Sequence, residues 1–306
     1  MSHRLTDSAI TADDTSADVH AHPETLDPSP VGSTNRAGVV ARIARNGLFL
    51  GRAIRSEITK LSPRNPLFWL VIPLSIGIPV AMNFGIAKAS QWDVIDGTGG
   101  IDTNNTGYWL MMLSPFILMA AAVTSFCGEF KDKTVELGSA IQPRRWTMPV
   151  AKLIVFSVVA AITVTATILI MLLGFPHLFP EIWGEVELFS GDGVRLLIGV
   201  PVYSVLVLAL GLGLSVLIPR PGLVIMIVVL WRFVIEEFLY KVMNNDFGMT
   251  LQKWGPFANA QIGAGQYPTF DTVFGPNMSL LYFAAYAVAF FVIGLIRLQA
   301  TDLRSD

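Results

Sequence analysis

The stretch LIVFSVVAAITVTATILIMLLGFPHLFP, residues 153–180, decides the fold. Its 28 residues include no Asp, Glu, Lys or Arg. An α-helix needs about 20 apolar residues to cross the hydrocarbon core of a bilayer, which is about 30 Å thick. The stretch also lacks the period-2 alternation of apolar and polar residues that marks a membrane β-strand. It therefore predicts a membrane-spanning α-helix.

Four more stretches of the chain are free of charged residues and long enough to span: residues 65–87, 103–128, 196–219 and 272–296. A sixth apolar stretch, from about Pro221 to Tyr240, is interrupted by Arg232, Glu236 and Glu237. We therefore expect an all-α integral membrane protein. Its six transmembrane helices are predicted near residues 66–87, 107–127, 150–175, 195–218, 221–240 and 278–297.

The composition agrees with a lipid environment. Of the 306 residues, 53% are hydrophobic and only 14% are charged, whereas a soluble domain carries about 25% charged residues. The net charge of −2 disfavours a nucleic-acid partner. A single cysteine, Cys127, excludes a disulfide within the chain and a thiolate cluster for a metal.

The distribution of Lys and Arg predicts the orientation. These residues are concentrated before the first span, in the connection at residues 128–149, and after the last span, while the first and third connections carry mainly acids. Because basic residues accumulate on the cytoplasmic side, we expect a multi-pass protein of the cell membrane with both termini in the cytoplasm. The long connection at residues 242–277 then lies outside, and its many apolar residues predict short helices packed on the ends of the spans.

Two segments precede the first span. Residues 1–35 are rich in Ser, Thr, Asp and Pro and predict a disordered acidic tail. Residues 36–64 carry apolar residues on one face of a helix and basic residues on the other. This pattern predicts an amphipathic helix in the membrane interface, in contact with lipid headgroups. Residues 65–300 hold the six spans.

Arg232 and Glu236 are the most unusual residues of the spans. Their i, i+4 spacing puts them on one helix face, where they could pair. Charged residues at this depth usually face a bundle interior or a wet pathway. Two interpretations stay open: an element of a translocation path, or an ion pair that holds helices together.

Motifs for catalysis are missing from the sequence. No Gly-Lys dipeptide occurs, and hence no phosphate-binding loop of the G-x-x-x-x-G-K-[ST] type. Intramembrane hydrolysis would need paired carboxylates or a Ser with a nearby base within the spans. Glu236 and Glu237 are the only acids there, and adjacent residues on a helix point about 100° apart. We expect no enzymatic activity and no cofactor or metal in this chain.

Three motifs resemble the permeases of ABC-2-type transporters. Residues 129–136, EFKDKTVE, followed by Gln142-Pro143-Arg144-Arg145 and Ala151-Lys152, resemble the connection after the second span in that family. Residues 55–61, RSEITKL, resemble the run that leads into the first span, and residues 255–260, GPFANA, are similar to a segment before the last span. With the predicted topology, the resemblance covers about residues 45–300.

The resemblance implies the membrane subunit of an ATP-driven transporter, and it favours export as the direction of transport. Such permeases work as dimers, here with a second copy or a related permease, and a separate cytosolic ABC ATPase binds and hydrolyses ATP with magnesium. The connection would be the coupling helix that docks on the ATPase, and residues 38–61 would form the interfacial connecting helix. The predicted docking residues are Glu129, Lys131, Thr134, Glu136, Pro143, Arg144 and Arg145.

Two other functions stay open. A secondary transporter would use Arg232 and Glu236 in its path, but it would need ionisable residues in more than one span. A membrane scaffold or sensor subunit that conducts no substrate is the second alternative.

Overall fold

The computed structural model describes residues 34–61, 65–91, 100–131, 146–238, 242–243 and 246–302. Its regular elements are all helical within these ranges. The chain divides into two units, Met1–Ala44 and Arg45–Asp306. The predicted acidic tail lies almost wholly outside the described residues. All contacts discussed below belong to the second unit.

The helices follow one another along the chain with short connections. In order, they are α1 (Thr34–Lys60), α2 (Ile72–Gln91), α3 (Tyr108–Lys131), α4 (Thr147–Leu169), α5 (Phe175–Leu178), α6 (Pro180–Trp183), α7 (Gly191–Leu217), α8 (Pro221–Val229), α9 (Asp246–Trp254), α10 (Pro256–Ala264) and α11 (Pro276–Asp302). Wider π-helical turns occupy Leu67–Val71 before α2, Ile170–Gly174 after α4 and Leu230–Phe238 after α8.

Five helical segments are long and apolar enough to cross a membrane. They are Leu67–Gln91, Thr103–Glu129, Thr147–Leu178, Gly191–Leu217 and Pro276–Ala300. Each contains most of a predicted span, and the ends differ by a few residues. The sixth predicted span, at residues 221–240, is helical from Pro221 to Phe238. It is not among the five, because three charged residues interrupt it, and its crossing of the membrane stays a prediction.

Helix α7 is the centre of the bundle. It packs against α3, α4, α10 and α11, and small residues let these neighbours come close. A Cβ added at Gly213 would lie 2.6 Å from the backbone nitrogen of Phe291 in α11. Close backbone approach at glycine is a usual way for helices to associate in lipid, where the hydrophobic effect supplies little.

The predicted outer connection contains the short helices α9 and α10. Helix α10 is buried along most of its length and packs against α7 and α11. Charged side chains hold both of its ends. The carboxylate of Glu236 accepts hydrogen bonds from the backbone N–H groups of Phe257 and Ala258, at 3.3 and 2.7 Å. At the other end, Arg195 donates to the carbonyls of Ile262 and Gly263. An acid at the N-terminus and a base at the C-terminus both match the helix dipole.

Helix α1, at Thr34–Lys60, corresponds to the connecting helix predicted at residues 38–61. It begins four residues earlier and ends one residue earlier. Near its C-terminus, Ala53 and Glu57 are buried, whereas Ile58 is exposed. The face that packs on the bundle is therefore not simply the apolar face of the sequence pattern. The placement of α1 in the membrane interface stays a prediction.

Candidate functional site

Two clusters of charged side chains stand out from the apolar bundle. The first joins Glu57 and Lys60 of α1, Glu129 near the end of α3 and Lys152 near the start of α4. We call these four residues the ion network. The second surrounds Arg232 in the π-helical segment after α8.

Lys152 is the centre of the ion network and is fully buried. Its Nζ lies 2.9 Å from Glu57 Oε2, 2.9 Å from Glu129 Oε1 and 2.9 Å from Ser125 Oγ. An ammonium group has three donors, so each donor of Lys152 has an acceptor. A buried charge is tolerated when it is paired and hydrogen-bonded in this way.

Lys60 extends the network toward the surface. Its Nζ contacts Glu57 Oε1 and lies 2.8 Å from Glu129 Oε1, while its side chain is about half exposed. Burial lowers the pKa of Lys60, but the hydrogen bonds to Glu129 and Glu57 together outweigh it and leave the pKa above the ordinary lysine value. A raised lysine pKa adds stability at all pH values below the ordinary pKa, and that stability is lost only as the pH rises through the raised value. Lys60 is therefore charged at neutral pH.

The ion network brings together residues from two of the three sequence motifs. Glu57 and Lys60 come from residues 55–61, Glu129 from residues 129–136, and Lys152 from the Ala-Lys pair. Glu129 precedes the segment 132–145 and Lys152 follows it, so the network holds both flanks of this segment against α1. Within a helix, residues at i and i+3 are neighbours, so the contact between Glu57 and Lys60 could be expected from the sequence. The contacts that Glu129 and Lys152 make with them could not.

Only Glu129 and Lys131, of the seven predicted docking residues, lie within the described residues. The carboxylate of Glu129 points into the ion network. Lys131 is the last residue of α3. Thr134, Glu136, Pro143, Arg144 and Arg145 lie outside the described residues, so their role stays a prediction.

The second cluster corrects the pairing predicted for Arg232. The ion pair of Arg232 is with Glu237, at 3.1 Å between Nη1 and Oε2, not with Glu236. The physical reason is the π-helix, in which residues five apart lie on one face. The same spacing lets Trp231 Nε1 donate to Glu236 Oε1 at 2.7 Å. The i, i+4 pairing with Glu236 would require α-helical periodicity, which this segment does not have.

Arg232 and Glu236 each connect the π-helix to α10. Arg232 Nη2 donates to Gln261 Oε1 at 2.6 Å, and Glu236 caps the N-terminus of α10 as described above. Gly255 makes room for that cap, because a Cβ there would lie 2.9 Å from Glu236 Cδ. Glycine at the first position of the GPFANA motif thus has a steric reason. Glu236 has a structural role here as a helix cap.

A cavity of about 270 Å³ lies beside Arg232. We call it the polar cavity. Its walls include Tyr108, Arg232, Glu237, Gln261, Gln266 and Tyr267. Tyr108 also reaches Glu237, with 3.4 Å between its hydroxyl and Oε1. Within the described ranges, no group of three or more His, Cys, Asp or Glu side chains could hold a metal ion.

The fold and these clusters define a class: a multi-pass helical membrane protein with charged groups concentrated at two positions in the bundle. Comparison with known families then identifies it. The model of the family described as ABC-2 family transporter protein matches residues 53–235, which are 183 of the 306 residues. The chain belongs to this family and is a membrane permease component of an ABC transporter. No curated protein and no solved structure matches the chain.

Proposed function

We propose that this chain is the membrane-spanning subunit of an ATP-driven exporter in the cell membrane. In this proposal, two permease copies form the translocation path, and a separate cytosolic ABC ATPase supplies the energy. Family membership supports the permease role. The 306 residues contain no phosphate-binding loop, and because ATP binding in such transporters needs that loop, the proposal assigns ATP hydrolysis to a partner.

The ion network is the observation that carries the coupling proposal. It ties α1, α3 and α4 together at the two flanks of residues 132–145. If the ATPase pushes on this segment, the displacement reaches three helices at once through short contacts to a fully buried lysine. Coupling between sites is carried by packed side chains and ionic networks of this kind. Movement of α3 and α4 would then reach α7, against which both pack.

The network also refines the proposed docking surface. The carboxylate of Glu129 is engaged with Lys152 and Lys60, so we assign Glu129 to transmission rather than to docking. Lys131, Thr134, Glu136, Pro143, Arg144 and Arg145 remain the proposed contacts to the ATPase. The two adjacent arginines are the sharpest test, because guanidinium groups form strong bidentate pairs with carboxylates.

The docking test is co-purification with an ABC ATPase, and an ATPase gene adjacent to the gene of this chain would be the first candidate. The variants are Arg144→Glu, Arg145→Glu and their double mutant, and Arg220→Glu is the matched control, since it reverses a charge at an exposed turn on the same predicted side. We expect the double variant to lose most of the bound ATPase at equal expression, while Arg220→Glu keeps it. Full retention by the double variant would show that the docking assignment is wrong.

The structure weakens one support for a secondary transporter. Such a transporter would use Arg232 and Glu236 as exchangeable charges, but Glu236 is committed to the cap of α10. Reconstitution with an ATPase whose phosphate-binding lysine is replaced separates the alternatives. Transport that continues without ATP hydrolysis would support a secondary transporter, and binding without transport would support a scaffold.

A further inference from the structure

The polar cavity contains hydrogen-bonding groups that the protein leaves unsatisfied. Arg232 is only 1% exposed, and its Nε has no hydrogen-bond partner among the described residues. Two more buried atoms of the cavity wall, Gln261 Nε2 and Gln266 Oε1, likewise have no partner within those ranges. An unsatisfied buried polar group destabilises the folded protein. Such groups in a native protein indicate bound water or a ligand.

The three unsatisfied groups restrict the chemistry of a ligand. Arg232 Nε–H and the Gln261 amide Nε2 need acceptors, whereas Gln266 Oε1 needs a donor. An anion could accept from Arg232, but it has no proton for Gln266 and would be repelled by Glu237. A cation could donate to Gln266, but it would be repelled by the guanidinium. A hydroxyl group donates and accepts without charge, so it matches both kinds of group.

The rest of the cavity adds size and shape. Its volume of about 270 Å³ lies just below the range of about 300–1,000 Å³ for small-molecule sites. Tyr108 and Tyr267 bring aromatic rings and hydroxyl groups, and Gln261 brings an amide that can both donate and accept. This combination of apolar ring faces and neutral hydrogen-bonding groups fits a ring that bears several hydroxyls.

We propose that the polar cavity is a binding site for a neutral polyhydroxy compound of about the size of one sugar ring. Arg232 Nε donates to one hydroxyl oxygen, and a hydroxyl proton of the ligand is donated to Gln266 Oε1. The ligand thereby supplies the missing partner of a buried guanidinium group. This inference concerns the cavity within one chain and holds whether or not an ATPase is the partner.

The test uses ligand-observed saturation-transfer NMR on the full chain in lipid nanodiscs. Maltoside detergents must be absent, because their headgroups would compete for the site. The probe is methyl α-glucoside, and glucuronate and glucosamine serve as anionic and cationic compounds of similar size. We expect saturation transfer to methyl α-glucoside and much weaker transfer to both charged compounds.

Variants of Gln266 assign the signal to the cavity. Gln266→Leu removes the acceptor, and we expect it to weaken binding of methyl α-glucoside about tenfold, the effect of one lost buried hydrogen bond. Gln266→Glu keeps an acceptor at this position and should retain binding that Gln266→Leu loses. Gln299→Leu, an identical change at an exposed position of α11, is the matched control and should bind like the unmodified chain.

Two results would overturn the proposal. Equal signals from the neutral and charged compounds would show that the cavity does not select for neutral hydroxyls. A methyl α-glucoside signal that is absent, or that Gln266→Leu leaves unchanged, would show that the cavity holds water only. Because the ATPase is absent from this experiment, neither result bears on the docking test above.

Discussion

The two charged clusters of this protein are satisfied to different degrees. In the ion network, all three donors of the buried Lys152 ammonium have acceptors at 2.9 Å. In the second cluster, Arg232 pairs with Glu237 and Gln261, but its Nε is left without a partner among the described residues, next to a cavity. Every donor of the buried lysine is satisfied, whereas one donor of the buried arginine is not. This difference is the basis for proposing that the first cluster transmits force and that the second binds a ligand.

The largest expected loss of stability comes from a substitution at the centre of the ion network. Lys152→Met should lower the free energy of unfolding by about 3–5 kcal/mol, because it leaves Glu57 and Glu129 without their buried partner. Unfolding in mixed micelles, followed by circular dichroism, measures this change. Lys253→Met is the control at an exposed position and should change stability by less than about 0.5 kcal/mol.

A second substitution tests whether the loss is electrostatic. Adding Glu57→Gln to Lys152→Met removes an uncompensated charge and should recover part of the stability. If the double variant loses the sum of the two single losses, Lys152 and Glu57 act independently. The ion network would then be a poor description of this region.

The second cluster predicts an intermediate effect and a specific rescue. Arg232→Ala should cost about 2–3 kcal/mol, because it removes the cationic partner of the partly buried Glu237 and the donor to Gln261 Oε1. Glu237→Gln should recover part of that loss in the same unfolding assay. Glu236→Gln should instead add a further loss of about 1 kcal/mol, because it weakens the anionic cap of α10.

The opposite pattern would contradict the structure of this segment. Rescue by Glu236→Gln without rescue by Glu237→Gln would mean that Arg232 pairs at i, i+4. The segment would then be an ordinary α-helix, and the polar cavity beside it would have a different lining.

The smallest expected effect is at the edge of the ion network. Lys60 makes two ion pairs, but its side chain is 49% exposed, and solvent screens such contacts. Lys60→Met should therefore change the free energy of unfolding by no more than about 1 kcal/mol. If Lys60→Met lowered the free energy of unfolding as much as Lys152→Met, Lys60 would be as essential as the buried lysine. Side-chain exposure would then not predict how much each lysine contributes to stability.

The sequence predicted five of the spans because charge is expensive in hydrocarbon, so its absence over more than 20 residues is informative by itself. It did not predict the π-helix, because the choice of five-residue over four-residue periodicity depends on contacts such as those of Glu236 and Arg232 with α10. The ion network was not predicted from the sequence either. Glu57, Glu129 and Lys152 are far apart in sequence, and only packing of α1, α3 and α4 brings their side chains together.

The location of residues 132–145 tests the account most directly, since an ATPase can act on them only from the cytoplasm. A Thr134→Cys variant should react with a membrane-impermeant maleimide in inverted vesicles but not in intact cells, and Phe274→Cys in the opposite connection should show the reverse. The only native cysteine, Cys127, is buried, so the unmodified chain serves as the background. Labelling of Thr134→Cys in intact cells would place the segment outside and contradict the proposed coupling to an ATPase.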